Sequence, residues 1–250
     1  MSGTSDAWAV RWRSVADPSL RLFCVPHSGG GAVTYRRWAE RLAPSIEVVA
    51  LRLPGRETRF REPPYRDIAE VVPPLLDAVA PLLDRPQAWF GHSMGAVVAY
   101  EASRRVDPTL VRRLVVAARP APHLADDGPP LHDAPTEDFL RGLYAMNGTP
   151  ERLAQDRQAL LTFLPTLRAD FAVVETYEPL PGPRLSCPVT ALGGTTDPVA
   201  SEEQLAGWRR YTTAECAVRM FPGGHFFVHE QTDAVLAALT ADLLPAGDAR

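Results

Sequence analysis

Ser93 stands between two glycines in Gly91-His92-Ser93-Met94-Gly95, directly after the apolar run Gln87-Ala88-Trp89-Phe90 and directly before the small and apolar residues Ala96 to Ser103. This arrangement predicts a nucleophile elbow, a tight strand-to-helix turn that lifts the serine hydroxyl above the end of a sheet with a helix N-terminus beneath it. The two glycines are expected to let the chain pass Ser93 in a strained conformation. A serine hydroxyl is a weak nucleophile at neutral pH. Acyl transfer from Ser93 therefore requires a histidine to take its proton and a carboxylate to orient that histidine.

Six histidines are available. His225 lies in Phe221-Pro222-Gly223-Gly224-His225, where a glycine loop after a strand-like run would present the ring at the carboxyl edge of a sheet, and it is the expected base. His92 sits beside the nucleophile and should point away from it, His229 follows His225 by one helical turn, and His123 and His132 fall in a later proline-rich segment; these four read as structural or solvated. Asp197, in Gly193-Gly194-Thr195-Thr196-Asp197-Pro198, follows the preceding strand-like run in the same way. An Asp before Pro is often only a turn residue. Here it stands 28 residues before His225, about one helix plus one strand, and the order Ser93, Asp197, His225 is that of α/β-hydrolases. The oxyanion of a tetrahedral intermediate needs two donors. The backbone N–H of Met94 comes with the elbow, and the glycine loop Pro26-His27-Ser28-Gly29-Gly30-Gly31 is expected to give the second from Ser28, with His27 as the alternative. That loop lacks the G-x-G-x-x-G spacing of a dinucleotide site.

The elements that must position these residues are legible as short apolar runs, Leu20 to Pro26, Glu47 to Leu53, Gln87 to Phe90, Leu114 to Ala118, Val189 to Gly193 and Ala217 to Phe221. Helical stretches at Tyr35 to Leu42, Ile68 to Leu83, Ala96 to Arg105 and Glu202 to Tyr211 separate most of them. Runs without strict alternation, divided by helices, predict an α/β fold with a mostly parallel sheet buried on both faces. Pro73-Pro74 and Pro81 predict a kink or an early end in the second helix. Between about 121 and 186 the alternation stops. Helical patterns at Thr136 to Met146 and Glu151 to Tyr177, with Phe139, Leu143, Met146, Leu160, Phe163, Leu164, Leu167 and Phe171 forming an apolar face, predict a helical lid inserted into a single domain spanning 1–250, unless that face simply packs on the core.

Composition narrows the class further. The chain has 250 residues, 46% of them hydrophobic, and carries a net charge of −4. Its 26 basic residues are all arginine, which excludes a Schiff-base lysine, a Ser-Lys dyad and a Walker A lysine. The charge and the lack of interleaved basic and aromatic residues argue against nucleic acid as a partner. No signal segment and no run of 18 apolar residues is visible, so a cytoplasmic location without membrane contact is expected. Cys24, Cys187 and Cys216 each sit in an apolar run and are expected to be core thiols.

Taken together, these residues make the chain resemble the type II thioesterases, the stand-alone editing hydrolases of polyketide and nonribosomal peptide synthesis within the α/β-hydrolase superfamily. The resemblance covers nearly the whole length. It rests on Phe23 to Ala32 (FCVPHSGGGA), on the more specific Leu53-Pro54-Gly55-Arg56-Glu57, on Gly91 to Gly95, and on the Asp197 and Gly223-Gly224-His225-Phe226 segments. One departure is Ala117-Ala118 before Arg119, where the family more usually has Ser-Gly. The resemblance implies an acyl thioester substrate on the phosphopantetheine arm of an acyl or peptidyl carrier protein, with no metal or organic cofactor. Medium-chain acyl thioesterases and acyl-transferring or cyclising enzymes share the fold and the triad. The arginine run Arg52, Arg56, Arg59, Arg61 and Arg66 is a candidate for meeting an acidic carrier face, set against the reading of a solvated surface with Arg56 held structurally against Glu57 or another acid.

Overall fold

The computed structural model describes residues 7–124, 128–146 and 157–244. Among these, seven strands form one sheet: β1 (Ala9–Val10), β2 (Leu20–Val25), β3 (Ile46–Leu51), β4 (Gln87–His92), β5 (Val111–Ala117), β6 (Val189–Gly194) and β7 (Cys216–Phe221), in the order β1-β3-β2-β4-β5-β6-β7. β1 runs antiparallel to β3 and every other pairing is parallel. Each expected strand is present. β1 is too short to leave a periodic signal.

The helices lying within the described residues are α1 (Arg36–Leu42), α2 (Ile68–Val79), α3 (Met94–Ser103), α4 (Thr136–Ala145), α5 (Arg157–Glu175), α6 (Glu202–Ala206), α7 (Phe227–Glu230) and α8 (Thr232–Leu243). α2 runs through Pro73 and Pro74, which lie past its first turn and each remove an N–H donor from the helix, and it gives way to a 3₁₀ turn at Ala80–Leu82 that contains Pro81. The Asp67 carboxylate caps its start, accepting the Ala69 N–H at 2.7 Å. The stretch expected as one helix from Glu202 to Tyr211 divides at Gly207 into α6 and a 3₁₀ turn. α8 goes beyond the sequence-based expectation; Val235, Leu236, Leu239 and Leu243 recur at helical spacing and bury one face.

The two faces of the sheet carry separate cores. Trp89 packs on the side of Val71, Leu75 and Val97, while the next residue, Phe90, packs with Trp38, Leu236 and Leu239. Because both faces are covered, all six residues of β2, β3, β4 and β6 are buried, which is why these strands read as continuous apolar runs. Cys24 and Cys187 are buried free thiols, and Cys216 is half-buried at the start of β7.

α4 and α5 lie between β5 and β6, and their apolar residues Phe139, Leu140, Leu160, Leu167 and Phe171 form a third, smaller cluster of their own. Part of the stretch expected as a helix from Glu151 lies outside the described residues. Polar ties at both ends hold the described part to the sheet domain. At the far end the buried Glu101 carboxylate of α3 accepts the Tyr177 hydroxyl at 2.7 Å; the other end is tied to the glycine loop after β2.

Candidate active site

β4 ends in the pentapeptide that carries Ser93, and α3 begins at the next residue. Ser93 has φ of 54° and ψ of −115°, a conformation that costs an L-residue about 1–3 kcal/mol. The flanking glycines do not share the left-handed conformation; they are required by proximity. A Cβ on Gly91 would lie 2.0 Å from the Gly95 carbonyl oxygen, and one on Gly95 would lie 2.2 Å from that of Val25. The helix can thus run directly against β2 and β4, and the Ser93 N–H donates to Ala117 O at 2.8 Å to hold the turn against β5. All ten residues of α3 are buried, as their small, apolar character demands.

The loops after β6 and β7 bring the other two residues to the same edge. His225 Nε2 lies 3.0 Å from Ser93 Oγ, and its Nδ1 lies 3.1 and 3.0 Å from the two Asp197 carboxylate oxygens. The side chains of His225 and Asp197 are 3% and 0% exposed. Asp197 Oδ1 also accepts the Val199 N–H at 2.8 Å, which fixes the carboxylate in its turn. Main-chain bonds from Thr195 N to Phe221 O and from Thr196 N to Gly223 O tie the two loops together. Their closeness explains the paired glycines, since a Cβ on Gly194 would meet Gly224 O at 2.3 Å. His92 turns away from Ser93, and its Nε2–H donates to the main-chain carbonyl of His225 at 2.8 Å. It thereby holds the backbone that carries the expected base.

In the glycine loop after β2, two N–H groups are already committed, Gly30 to His27 O at 2.9 Å and Gly29 to Asp170 Oδ2 at 2.7 Å. Among the described residues the Ser28 N–H is bonded to nothing, and that of Met94, first in α3, has no intrahelical partner. Ser28, Ser93 and His225 line one cavity of about 930 Å³. The rest of its wall includes Leu131, Leu143, Met146, Leu160, Leu167 and Phe171, contributed by α4, α5 and the segment before them. The arrangement can deprotonate Ser93 through Nε2, keep the resulting imidazolium beside a carboxylate, and receive an apolar chain next to it.

Asp170 is a residue the sequence reading passes over. Its side chain is 3% exposed on α5, and besides the Gly29 N–H it accepts Arg56 Nη2 at 2.7 Å. Arg56 in turn donates to Gly30 O at 3.0 Å and to Pro54 O at 3.2 Å. Thr166, one turn earlier on α5, donates to Gly55 O at 2.8 Å, and a Cβ on Gly55, whose φ is +82°, would lie 2.7 Å from Thr166 Oγ1. The Pro-Gly-Arg-Glu segment therefore joins α5 to the glycine loop. The sequence signal of Asp170 is a carboxylate on an apolar stripe, since Leu167, Val173 and Val174 stand three or four residues from it, at helical spacing.

That geometry also decides between the two readings of the arginine run, in favour of the structural one. Arg56 and Arg59 are buried, Arg59 over the Trp8 ring and against Glu62. Arg52 is spent on Glu57 and Thr58, and Arg66 reaches Asp133. Only Arg61 of the five is exposed with no such partner among the described residues. The run holds a loop in place rather than forming a basic face. Of the two histidines in the proline-rich segment, His132 is held by Glu175 through both its ring and its N–H, and His123 is exposed near Tyr211.

The match to known proteins agrees with this architecture. Residues 20–243 match the family model for the thioesterase domain. The chain is 36% identical to thioesterase PikA5 of Streptomyces venezuelae over 96% of its own length and 86% of that protein. It is 37% identical to a protein of Brevibacillus parabrevis named linear gramicidin dehydrogenase LgrE, over 94% of this chain and 92% of that one. Its fold superposes with a TM-score of 0.87 on the type II thioesterase BorB from the borrelidin biosynthetic cluster, with 35% identity over 96% of this chain and 98% of the other. Among the described residues no helix is long and apolar enough to cross a membrane. The chain accordingly belongs to the thioesterase family, of the type II kind and with the α/β-hydrolase fold, and is a hydrolase of thioesters.

Proposed function

We propose that this thioesterase removes stalled or misprimed acyl groups from the phosphopantetheine arms of carrier proteins in polyketide or nonribosomal peptide synthesis, through an acyl-Ser93 intermediate. The observation that carries the reading is the hydrogen-bonded line Ser93 Oγ, His225 Nε2, His225 Nδ1, Asp197, opening into an apolar cavity beneath inserted helices that act as its lid. The transient partner is an acyl or peptidyl carrier protein, and the reaction takes place in the cytoplasm.

In the first half-reaction His225 Nε2 takes the hydroxyl proton as Ser93 Oγ bonds to the thioester carbonyl carbon. The negative charge that develops on the carbonyl oxygen is received by the N–H groups of Met94 and Ser28. The carbon–sulfur bond then breaks, and the pantetheine sulfur leaves with the proton from His225. A thiol, with a pKa of about 8.5, leaves far more readily than an amine and asks less of the acid. In the second half-reaction water attacks the ester carbonyl, His225 accepts a water proton and returns it to Ser93 Oγ, and free acid departs. These steps call on no metal or organic cofactor. Hydride transfer, which one relative's name raises, finds no dinucleotide motif in the glycine loop, and the Gly29 N–H there already holds a carboxylate rather than a phosphate.

The test is to incubate the protein with a panel of acyl carrier proteins bearing chains of increasing length, following free acid and carrier thiol while mass spectrometry locates the adduct on Ser93. Rapid release of acetyl and propionyl groups is expected. Preference for long chains supports chain-terminating release of fatty acids instead, and a lactone or ester product supports acyl transfer.

A further inference from the structure

Beside the base, with His27 and His229 on the wall of the same cavity, the side chains of His27, His92 and His229 converge from three different elements: the glycine loop after β2, the end of β4 and helix α7. Their ring centroids are separated by 5.1, 5.6 and 5.8 Å, and one ligand nitrogen from each lies within 4.8 Å of the others. His92 is fully buried, and its Nε2–H is directed at the His225 carbonyl, so its free lone pair is on Nδ1, which is buried without a partner. Such a nitrogen is costly to leave unpaired and calls for a ligand. An N–H donated to a main-chain carbonyl is also the outer contact that orients metal-binding histidines.

We infer that His27, His92 and His229 form a binding site for a divalent transition metal ion of the zinc class, and that occupancy of this site inhibits the enzyme. Imidazole ligands suit zinc, nickel, cobalt and copper, and three with a water molecule make a four-coordinate zinc site. The rings are ready as ligands because all three are held neutral: burial, with the neighbouring histidines and Arg56, brings the His27 pKa down to about 3, and burial lowers those of His92 and His229. His229 is exposed and opens the site to solvent. Tetrahedral coordination at about 2.0–2.1 Å brings the nitrogens to roughly 3.3 Å of one another, so binding must draw the three elements inward by about 1 Å. The two inner ligands are both coupled to catalysis. His92 holds the main chain of His225, and His27 precedes Ser28. Contraction moves the base and one oxyanion donor together, out of register with Ser93.

Zinc titration by calorimetry, with visible absorption of the Co²⁺ form as the readout of geometry, tests the site without reference to turnover. One equivalent is expected to bind the full chain, with a tetrahedral cobalt spectrum, and zinc is expected to suppress hydrolysis reversibly on chelation. H229A removes the exposed ligand and should weaken binding by roughly 100-fold or more, while preserving metal-free activity and abolishing the inhibition. H132A, which removes the separate His132 and Glu175 pairing, should leave binding unchanged. Absence of stoichiometric binding in the wild type, or binding that survives H229A intact, overturns the proposal.

Discussion

The site is held from two sides by different means. On the sheet side, Ser93, Asp197 and His225 stand on the ends of parallel strands, and main-chain bonds from Ser93 to Ala117, from Thr195 to Phe221 and from Thr196 to Gly223 share the work of placing them. On the side of the inserted helices, the glycine loop meets α5 chiefly through one buried carboxylate, Asp170, shared between Arg56 and the Gly29 N–H. The contrast teaches that removing a group on the first side should delete a proposed chemical step and spare the framework. On the second side the same removal disturbs the framework, and chemistry suffers through it.

Two substitutions on the sheet side should separate chemistry from stability most sharply. Ser93→Ala deletes the proposed nucleophile, and turnover of an acyl carrier protein should drop by on the order of 10⁶. Its thermal unfolding should stay close to that of the wild type, because among the described residues Ser93 Oγ bonds only to His225. Asp197→Asn keeps a carbonyl oxygen for the Val199 N–H but loses the charge beside the imidazolium and favours the wrong tautomer. A loss of about 10⁴ in kcat is expected. Single-turnover kinetics on both variants provide the check, and a loss below tenfold in either would remove that residue from the reaction.

On the other side, Asp170→Ala leaves the guanidinium of Arg56, 4% exposed, buried without its counter-charge. Breaking a buried pair in this way costs about 3–5 kcal/mol, read as a lowered midpoint in urea. Replacing both partners, Asp170→Leu with Arg56→Met, should restore much of that stability. It cannot restore the acceptor for the Gly29 N–H, so kcat should stay low in the double variant. Recovery of both quantities together would show that Asp170 serves stability alone and does not position the loop.

The same contrast explains what the sequence could reveal. The strand-end residues were legible because parallel strands buried on both faces leave continuous apolar runs, and the glycines beside Ser93, Asp197 and His225 mark where the loops crowd. There the strained backbone falls on Ser93, as expected, and Gly91 and Gly95 permit it by allowing close approach of the neighbouring chain. The roles of Arg56 and Asp170 were not legible. They stand 114 residues apart, and nothing local in either segment names its partner. β1 escaped notice because two residues cannot show a period.

The mildest test concerns Ala118, which follows β5 with φ of +55° where the family more usually has glycine. Its Cβ is fully buried, so Ala118→Gly forfeits about 0.8 kcal/mol of methyl burial and up to about 1 kcal/mol of unfolded-state entropy. Against this stands relief of the left-handed strain, about 1–2 kcal/mol. These contributions nearly cancel, and the variant should melt close to the wild type. Ala117→Gly is the internal comparison, because Ala117 is equally buried but paired in β5 with ordinary strand geometry, and the same two losses of about 1.5 kcal/mol act there without relief. Equal destabilisation of the two variants would mean that the turn after β5 stores no strain, and that the alanine at 118 fits as easily as a glycine would.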